Sequence, residues 1–490
     1  MGFAVVDGGA GTPLHFMRRG RRPSPVDGRP RVNTTQRYGD LELSFQLTGT
    51  VFDLIIGPPL VYTAYNPTKE WTRELFPTGL KMGPGGMTGK TGVLMLKDRS
   101  ADRSLLRDPV GFVKVAQLPS SVPGYPWGVW RPVPPEGYVA LGDIIAPWEQ
   151  DEPAVDTWAR TACVKRGEHT DGRTYVRQGE CGTLLCQSSG GTRVWSIVTP
   201  PYPDGDEDEH LYLPVGNFTA VTSSDHPAPT DTTWILDLPA VIDKNDGPEI
   251  PELTSYSRPP AQTVITDREV TVPYYLVHDA ARDEKWKVEN SPFYKLRRKR
   301  HYELVLFRDN RNGTEPQDES ESITTGVTQT SGETFSQTTG VTVGVKVGVS
   351  AGAKPFGIGV ETTVTTSVST TVEIGYERRT DISIMREVTK TRGLSVPPRS
   401  SACLWMEHHT LLPIRANGDT LGDQANLGFN TDYYVTGEYP SGSGPIYWET
   451  GDSGNRRKLP ATRLAPDLHA RQSIPHLTPE PNPATSPAEV

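Results

Sequence analysis

Val341-Thr342-Val343-Gly344-Val345-Lys346-Val347-Gly348-Val349-Ser350 alternates aliphatic with small or polar side chains without a break. After Ala351-Gly352-Ala353-Lys354-Pro355, a turn composition, the alternation resumes. Phe356, Ile358, Val360, Val364, Val368, Val372 and Ile374 share one parity. Gly357, Gly359, Glu361, Thr363, Thr365, Ser367, Ser369, Thr371 and Glu373 take the other. A period of two puts one set on each face of a β-strand. The expected element is a hairpin with one aliphatic face and one face of Thr, Ser, Gly, Lys and Glu.

A strand that crosses a bilayer needs roughly 9–11 residues, apolar outward and polar inward. Val341–Val349 and Ile358–Val368 meet that length. Opposed residues must share a face, so their numbers sum to an odd value. A tip near Ala353 and Lys354 sets Lys346 opposite Glu361 on the polar face, a pair worth about 0.2–1 kcal/mol. A half-buried hairpin of a soluble β-domain alternates in the same way. Two features favour insertion. The polar face is hydroxylated and small, and Thr/Ser tracts extend the pattern on both sides, from Ser322 to Thr330 and from Thr362 to Thr371. Long flat Thr/Ser strands invite edge pairing and suit strands that later pair with copies of themselves.

The chain has 490 residues, enough for two or three domains, with a formal charge of −9 and no basic footprint for nucleic acid. Its 48 Gly, 45 Pro and 35% hydrophobic content suit a β-rich protein with many turns. No apolar run approaches the length of a membrane-spanning helix. Met1–Asp7 lacks a charged n-region and apolar core, so a soluble protein without an evident signal peptide is expected, released from its producer by lysis or an unusual route. Cys163, Cys181, Cys186 and Cys403 lack paired C-x-x-C spacing. Free or partly buried thiols are expected, with a bridge from Cys163 to Cys181 or Cys186 left open.

Residues 1–33, with Arg18, Arg19, Arg21 and Arg22, read as a flexible arm. From 34 to 241, runs such as Leu41–Leu47, Val51–Ile56, Val93–Leu96 and Val110–Val115 alternate with Gly/Pro turns, an all-β domain of short strands. The segment Trp130-Arg131-Pro132-Val133-Pro134-Pro135-Glu136-Gly137-Tyr138-Val139-Ala140-Leu141-Gly142-Asp143-Ile144 has an echo at Tyr212–Ala220 and a partial third copy at Pro109–Val113. Irregular internal repeats are therefore expected. This segment, with Ala162–Lys165 and Val215–Phe218, resembles the vacuolar-sorting-62 (Vps62) type domain over about 34–240. The resemblance implies a β-rich recognition module and no catalytic residues.

A linker is expected at 242–262, through Asp243–Pro248 to Pro259 and Pro260. The second domain, 263–454, holds Val264–Val277, Trp286–Tyr294, Tyr302–Phe307, the Thr/Ser tract, the hairpin, Val396-Pro397-Pro398-Arg399-Ser400 and a strand through Ala402, Leu404 and Met406. Residues 455–490 read as a disordered Pro-rich tail. Long Thr/Ser strands, Val343–Val349, the tip Lys354-Pro355-Phe356-Gly357-Ile358 and the Val-Pro-Pro-Arg-Ser entry resemble the pore-forming module of aerolysin-like toxins over about 264–415. That resemblance implies a monomer that binds a surface receptor, forms a homo-oligomeric ring and joins its hairpins as one transmembrane barrel. The family's insertion hairpin maps onto about 341–368 and its apolar tip onto Pro355, Phe356 and Ile358. The setting it implies is a bacterial, insecticidal toxin.

The expected fold is mainly β: an N-terminal all-β domain of short strands and an elongated aerolysin-like β-domain with an amphipathic insertion hairpin. Membrane-facing positions are Val341, Val343, Val345, Val347, Val349, Pro355, Phe356, Ile358, Val360, Val364 and Val368; lumen positions are Lys346, Ser350, Glu361, Thr363 and Thr365. Trp127, Trp130, Tyr138 and Trp195 are candidates for a receptor surface, with core packing the competing reading for the tryptophans. The receptor class (glycan, lipid or protein) is open. Lys295-Leu296-Arg297-Arg298-Lys299-Arg300 admits three readings: a protease site, an acidic-lipid contact, or a solvated turn or strand edge. Asp204, Asp206 and Asp208 have calcium-loop spacing without the later EF-hand positions, so no metal is expected. Gly83–Thr91 fails the phosphate-loop count at Pro84, and Glu407-His408-His409 is not H-E-x-x-H. No cofactor and no catalysis are expected. The alternative function is a non-lytic recognition protein that binds glycans or a partner.

Overall fold

The computed structural model describes residues 34–47, 52–55, 60–64, 74–78, 81–84, 92–118, 126–149, 161–187, 191–198, 210–215, 217–222, 231–277, 279, 281–327, 388–422, 426–450 and 455–463. Mainly β is what these residues form. The expected runs appear as strands Leu41–Leu47, Phe52–Ile55, Gly92–Asp98 and Gly111–Leu118. A single α-helix, Glu284–Asn290, occurs among the described residues, capped by the Asp283 side chain accepting from the Trp286 N–H.

The first region is built three times over. Its first copy runs Leu41–Leu47, Phe52–Ile55, Leu60–Ala64, Leu75–Pro77, Lys81–Pro84 and Gly92–Asp98. The second runs Leu106–Arg107, Gly111–Leu118, Trp127–Val133, Tyr138–Ala140, Ile144–Pro147 and Cys163–Lys165. The third runs Val176–Gln178, Glu180–Gln187, Arg193–Val198, His210–Leu213, Phe218–Val221 and Trp234–Pro239. In every copy the sixth strand lies between the first and fourth, and the third lies between the second and fifth. Each copy thus divides its strands between two sheets. The chain switches sheets at Leu75–Lys81, Tyr138–Ile144 and Tyr212–Phe218, each carrying a glycine two residues before the fifth strand.

The expected internal repeat is present, but its third copy is Leu75–Lys81. Pro109–Val113 leads into a second strand, a different place in the unit. The copies meet at these switches. Asp143 bridges Phe218, and Asn217 Nδ2 donates to the carbonyls of Thr78 and Leu141. Arg131 holds Asp143 with two hydrogen bonds of 2.9 and 3.0 Å, while Asp143 accepts from the Ala220 N–H. The Trp-Arg-Pro…Gly-Asp string therefore encodes a half-buried ion pair and the joint it braces.

Gly142 adopts φ +151°, and a Cβ there would lie 2.8 Å from both Asn217 Cβ and the Phe218 carbonyl oxygen. Neighbouring backbone cannot yield as a side-chain end would. Gly142→Ala should cost about 1–3 kcal/mol, read as a lower urea midpoint. Gly137→Ala, also at positive φ but in open space, should cost less.

From Val241 onward the strands lengthen into a ten-stranded sheet. Ile265–Pro273, Phe293–Asp309, Ser401–Ile414 and Leu427–Tyr439 are successive antiparallel neighbours, and Gln317–Val327 and Val388–Val396 follow. Phe293–Asp309 is 17 residues long, roughly 55 Å of strand. One apolar core cluster joins the regions: Tyr38, Leu41 and Leu96 pack in it with Val270, Tyr274 and Phe293. The Tyr38 hydroxyl donates to the Thr271 carbonyl, and the Phe45 and Tyr274 rings meet edge to face at 4.8 Å.

Two expected boundaries change. Val241–Lys244 is a strand paired with Ile265–Pro273, so the expected linker begins inside the sheet. The rest of that segment is packed: Leu253 is buried with Tyr302, Cys403 and Trp405, and the Tyr256 ring lies 4.8 Å from that of Tyr439. At the other end, Arg456–Lys458 and Thr462–Arg463 are strands and Leu459 is buried, so the first part of the expected tail belongs to the fold. The expected arm at 1–33 lies outside the described residues.

Candidate membrane-insertion module

Gln317–Val327 and Val388–Val396 are the two ends of the segment that holds the sequence-predicted hairpin. They form one antiparallel ladder, from Gln317 opposite Val396 to Thr325 opposite Val388. Residues 328–387 therefore leave and return at adjacent positions. Every pair in this ladder sums to an odd number, the condition the hairpin alternation requires. Ile323, Arg392, Leu394 and Val396 are buried, whereas Ser320 and Ser322 are exposed. The more buried positions are thus odd upstream, Glu321 excepted, and even downstream, Gly393 excepted. At 341–349 and 356–374 the aliphatic residues have the same parities.

The hairpin positions themselves, Val341, Val343, Val345, Val347, Val349, Pro355, Phe356, Ile358, Val360, Val364 and Val368, lie outside the described residues. So do Lys346, Ser350, Glu361, Thr363 and Thr365. What is described is the mounting. Beyond Thr325 the first strand turns to a second neighbour, pairing Gly326 with Asn430 and Val327 with Phe429. Asn430 Nδ2 donates to the Thr324 carbonyl, and Asn430 Oδ1 contacts His408 Nδ1.

The basic run 295–300 is neither a loop nor a strand edge. It sits within Phe293–Asp309, laddered on one side to Ile265–Pro273 and on the other to Ser401–Ile414. Lys295, Arg297, Arg298 and Arg300 are paired with acidic residues across the strands. Lys295 and Arg297 both bond Glu269. Arg298 and Asp267, each 3% exposed, form a buried pair with Nε to Oδ1 at 2.9 Å. Arg300 bridges Asp267 and Glu407. A run paired by ladders on both sides is not the open loop that a protease needs. Its partners alternate at positions 267 and 269, a period-two acidic pattern that pairs with the basic one once the strands are adjacent.

His409 lies beside Glu407, Nε2 to Oε2 at 3.3 Å, and burial pushes its pKa down to about 4. Burial would raise Glu407, but His409 and Arg300 outweigh it and hold the carboxyl at about 2. The unfolded chain protonates a histidine near pH 6.5, before the folded chain does. Stability carried by neutral His409 is therefore present above about pH 6.5 and lost as pH falls toward 4, by on the order of 1–3 kcal/mol. Urea midpoints measured from pH 7 to 4.5 should fall, and His409→Gln should flatten that slope.

The candidate receptor aromatics fare differently from expectation. Trp127, Trp130 and Trp195 are 8%, 1% and 9% exposed and belong to the interior. Their strands are covered on both faces, so alternation does not expose the rings. Trp130 packs 6.1 Å from Trp148, with the Lys114 ammonium 5.1 Å from its ring. Tyr138 is half-buried and donates its hydroxyl to the Ser104 carbonyl. Cys163, Cys181 and Cys403 are buried free thiols, so Cys163 is not bridged.

Residues 265–424 match the family model described as insecticidal crystal toxin, P42. The long-strand region resembles an insecticidal crystal toxin. The match spans five of the ten strands of the long sheet and both ends of the hairpin segment, and none of the threefold region. Two solved structures are similar to the chain. GNIP1Aa from Chromobacterium piscinae is 18% identical, over 38% of this chain and 34% of its own, with a TM-score of 0.26. Cry35Ab1 is 13% identical, over 83% of this chain and 91% of its own, with a TM-score of 0.28. The chain thus spans about a third of the length of GNIP1Aa. A search of curated proteins gave no match.

Proposed function

We propose that the protein is a β-pore-forming toxin: it binds a target-cell surface, oligomerises, and inserts a barrel assembled from hairpins 341–368. The reading rests on one observation. The strands that enter and leave 328–387 are antiparallel neighbours whose inward parities match those of the aliphatic residues farther along. A hairpin of that pattern needs only to extend the existing ladder. Alone in lipid it would leave edge N–H and C=O groups unpaired, at several kcal/mol each. A ring of hairpins removes every edge, so oligomerisation precedes insertion. Val341, Val345, Phe356 and Ile358 then face lipid, and Lys346 and Glu361 face water.

The similarity of residues 265–424 to insecticidal crystal toxins supports an insect target. In this reading the threefold region is the recognition module, of the Vps62 type, and the protein acts after release from its producer, without enzymatic chemistry. Dye release from liposomes and from insect cells, with and without limited proteolysis, tests it. Leakage that rises with protein concentration more steeply than first order supports assembly before insertion. Binding without leakage from any target assigns the chain to non-lytic recognition instead.

A further inference from the structure

The threefold region places one aspartate from each of its copies around a single buried histidine. Asp40 precedes the first strand of copy one, Asp102 that of copy two, and Asp171 that of copy three. His169 stands among them with no side-chain exposure. Its Nε2 lies 3.5 Å from Asp102 Oδ1 and 3.3 Å from Ser104 Oγ. The tautomer with its proton on Nε2, donated toward Asp102, would leave the Nδ1 lone pair inward. Nδ1 lies 3.8 Å from Asp40 Oδ2, and a ligand atom of Asp171 lies within 4.8 Å of both. Two carboxylates and an imidazole nitrogen thus converge, with the Arg37 guanidinium on the far oxygen of Asp40. The Thr170 hydroxyl, 3.1 Å from Nδ1, is the local donor that competes for that lone pair.

We propose that Asp40, His169 and Asp171 bind a divalent cation of the class that takes mixed nitrogen and carboxylate ligands, zinc or manganese, and that it pins the three repeats together. One imidazole and two carboxylates are a common donor set for such ions, and ligand spacings of 3–5 Å close onto one with small side-chain shifts. The surroundings supply the outer shell. Arg37 holds the other oxygen of Asp40 at 2.9 Å, Tyr175 donates to Asp171 at 2.6 Å, and Asp102 orients the histidine. Asp40 lies in the turn that enters the first repeat, and His169 and Asp171 in the connection between the second and third, so an ion there resists their separation.

Calorimetric titration of the tag-free chain, pretreated with chelator, with ZnCl2, MnCl2 and CaCl2 tests the site. One saturable zinc or manganese site per chain is expected, with a melting point raised by a few degrees. Asp171→Asn, at an exposed position, should weaken binding at least tenfold without lowering the metal-free melting point, and Asp102→Asn should weaken it less. A triple Asn variant at Asp204, Asp206 and Asp208, the acidic run elsewhere in the chain, should bind as the native chain does. No saturable heat with any of the three ions overturns the proposal. Binding unchanged by Asp171→Asn, or lost in the triple variant, also overturns it.

Discussion

Asp267→Ala should destabilise the long-strand region by about 3–5 kcal/mol, among the largest single-residue effects in the molecule. Asp267 and Arg298 are each 3% exposed, on neighbouring strands of the sheet interior, and Arg300 leans on the same carboxylate. Burial would raise the Asp267 pKa, yet the two guanidiniums hold it below the usual carboxylate range. Removing the carboxylate leaves the Arg298 guanidinium desolvated without its charged partner. Removing both charges together is different: an Asp267→Ala, Arg298→Met double variant should recover much of the loss, because the desolvation of both ions disappears with them. Urea unfolding of the two variants measures the coupling. A loss below about 1 kcal/mol in the single variant would mean that the pair is solvated, and that the basic run is not the sheet interior described above.

Val345→Asp with Ile358→Asp should abolish leakage while leaving surface binding intact. Each aspartate on the lipid face costs roughly 1–3 kcal/mol, and the cost is repeated in every subunit of a ring. Even a small ring then loses more than insertion can supply. The paired control is Lys346→Gln on the opposite parity. It should retain leakage and change ion selectivity, because the lumen stays wet. Equal loss from both variants would place the two parities in the same environment and remove the basis for a barrel. An unchanged urea midpoint separates failed insertion from failed folding.

Local alternation was a sufficient guide to the strands. Leu41–Leu47 and Ser401–Ile414 follow directly from apolar runs between turn residues. The threefold plan was harder to see because its copies share little beyond a glycine and its flanks, Leu75–Lys81 against Tyr138–Ile144, separated by connections of unequal length. Aromatic exposure was not legible at all. Trp127–Val133 is covered on both faces, so period two carries no information about which ring meets water. Proline content made 242–262 read as a linker, yet Leu253 and Tyr256 are held by strands far along the chain. The basic run misled for a similar reason: its partners, Asp267, Glu269 and Glu407, are distant in sequence and become neighbours only through sheet register. Parity at the hairpin is read from alternation alone, at positions outside the described residues, and the ladder 317–325 with 388–396 pairs odd with even positions as that alternation requires.

The most direct test of the pore is an environment-sensitive fluorophore placed singly, through cysteine, at each position from 341 to 349 in a Cys186→Ser background, and followed as liposomes are added. Insertion predicts a period of two. Probes at 341, 343, 345, 347 and 349 should shift to the blue and be quenched by lipid-borne quenchers, and probes at 342, 344, 346 and 348 should stay in water. Uniform spectra along the segment, or no response to lipid under conditions that release dye, would contradict the account.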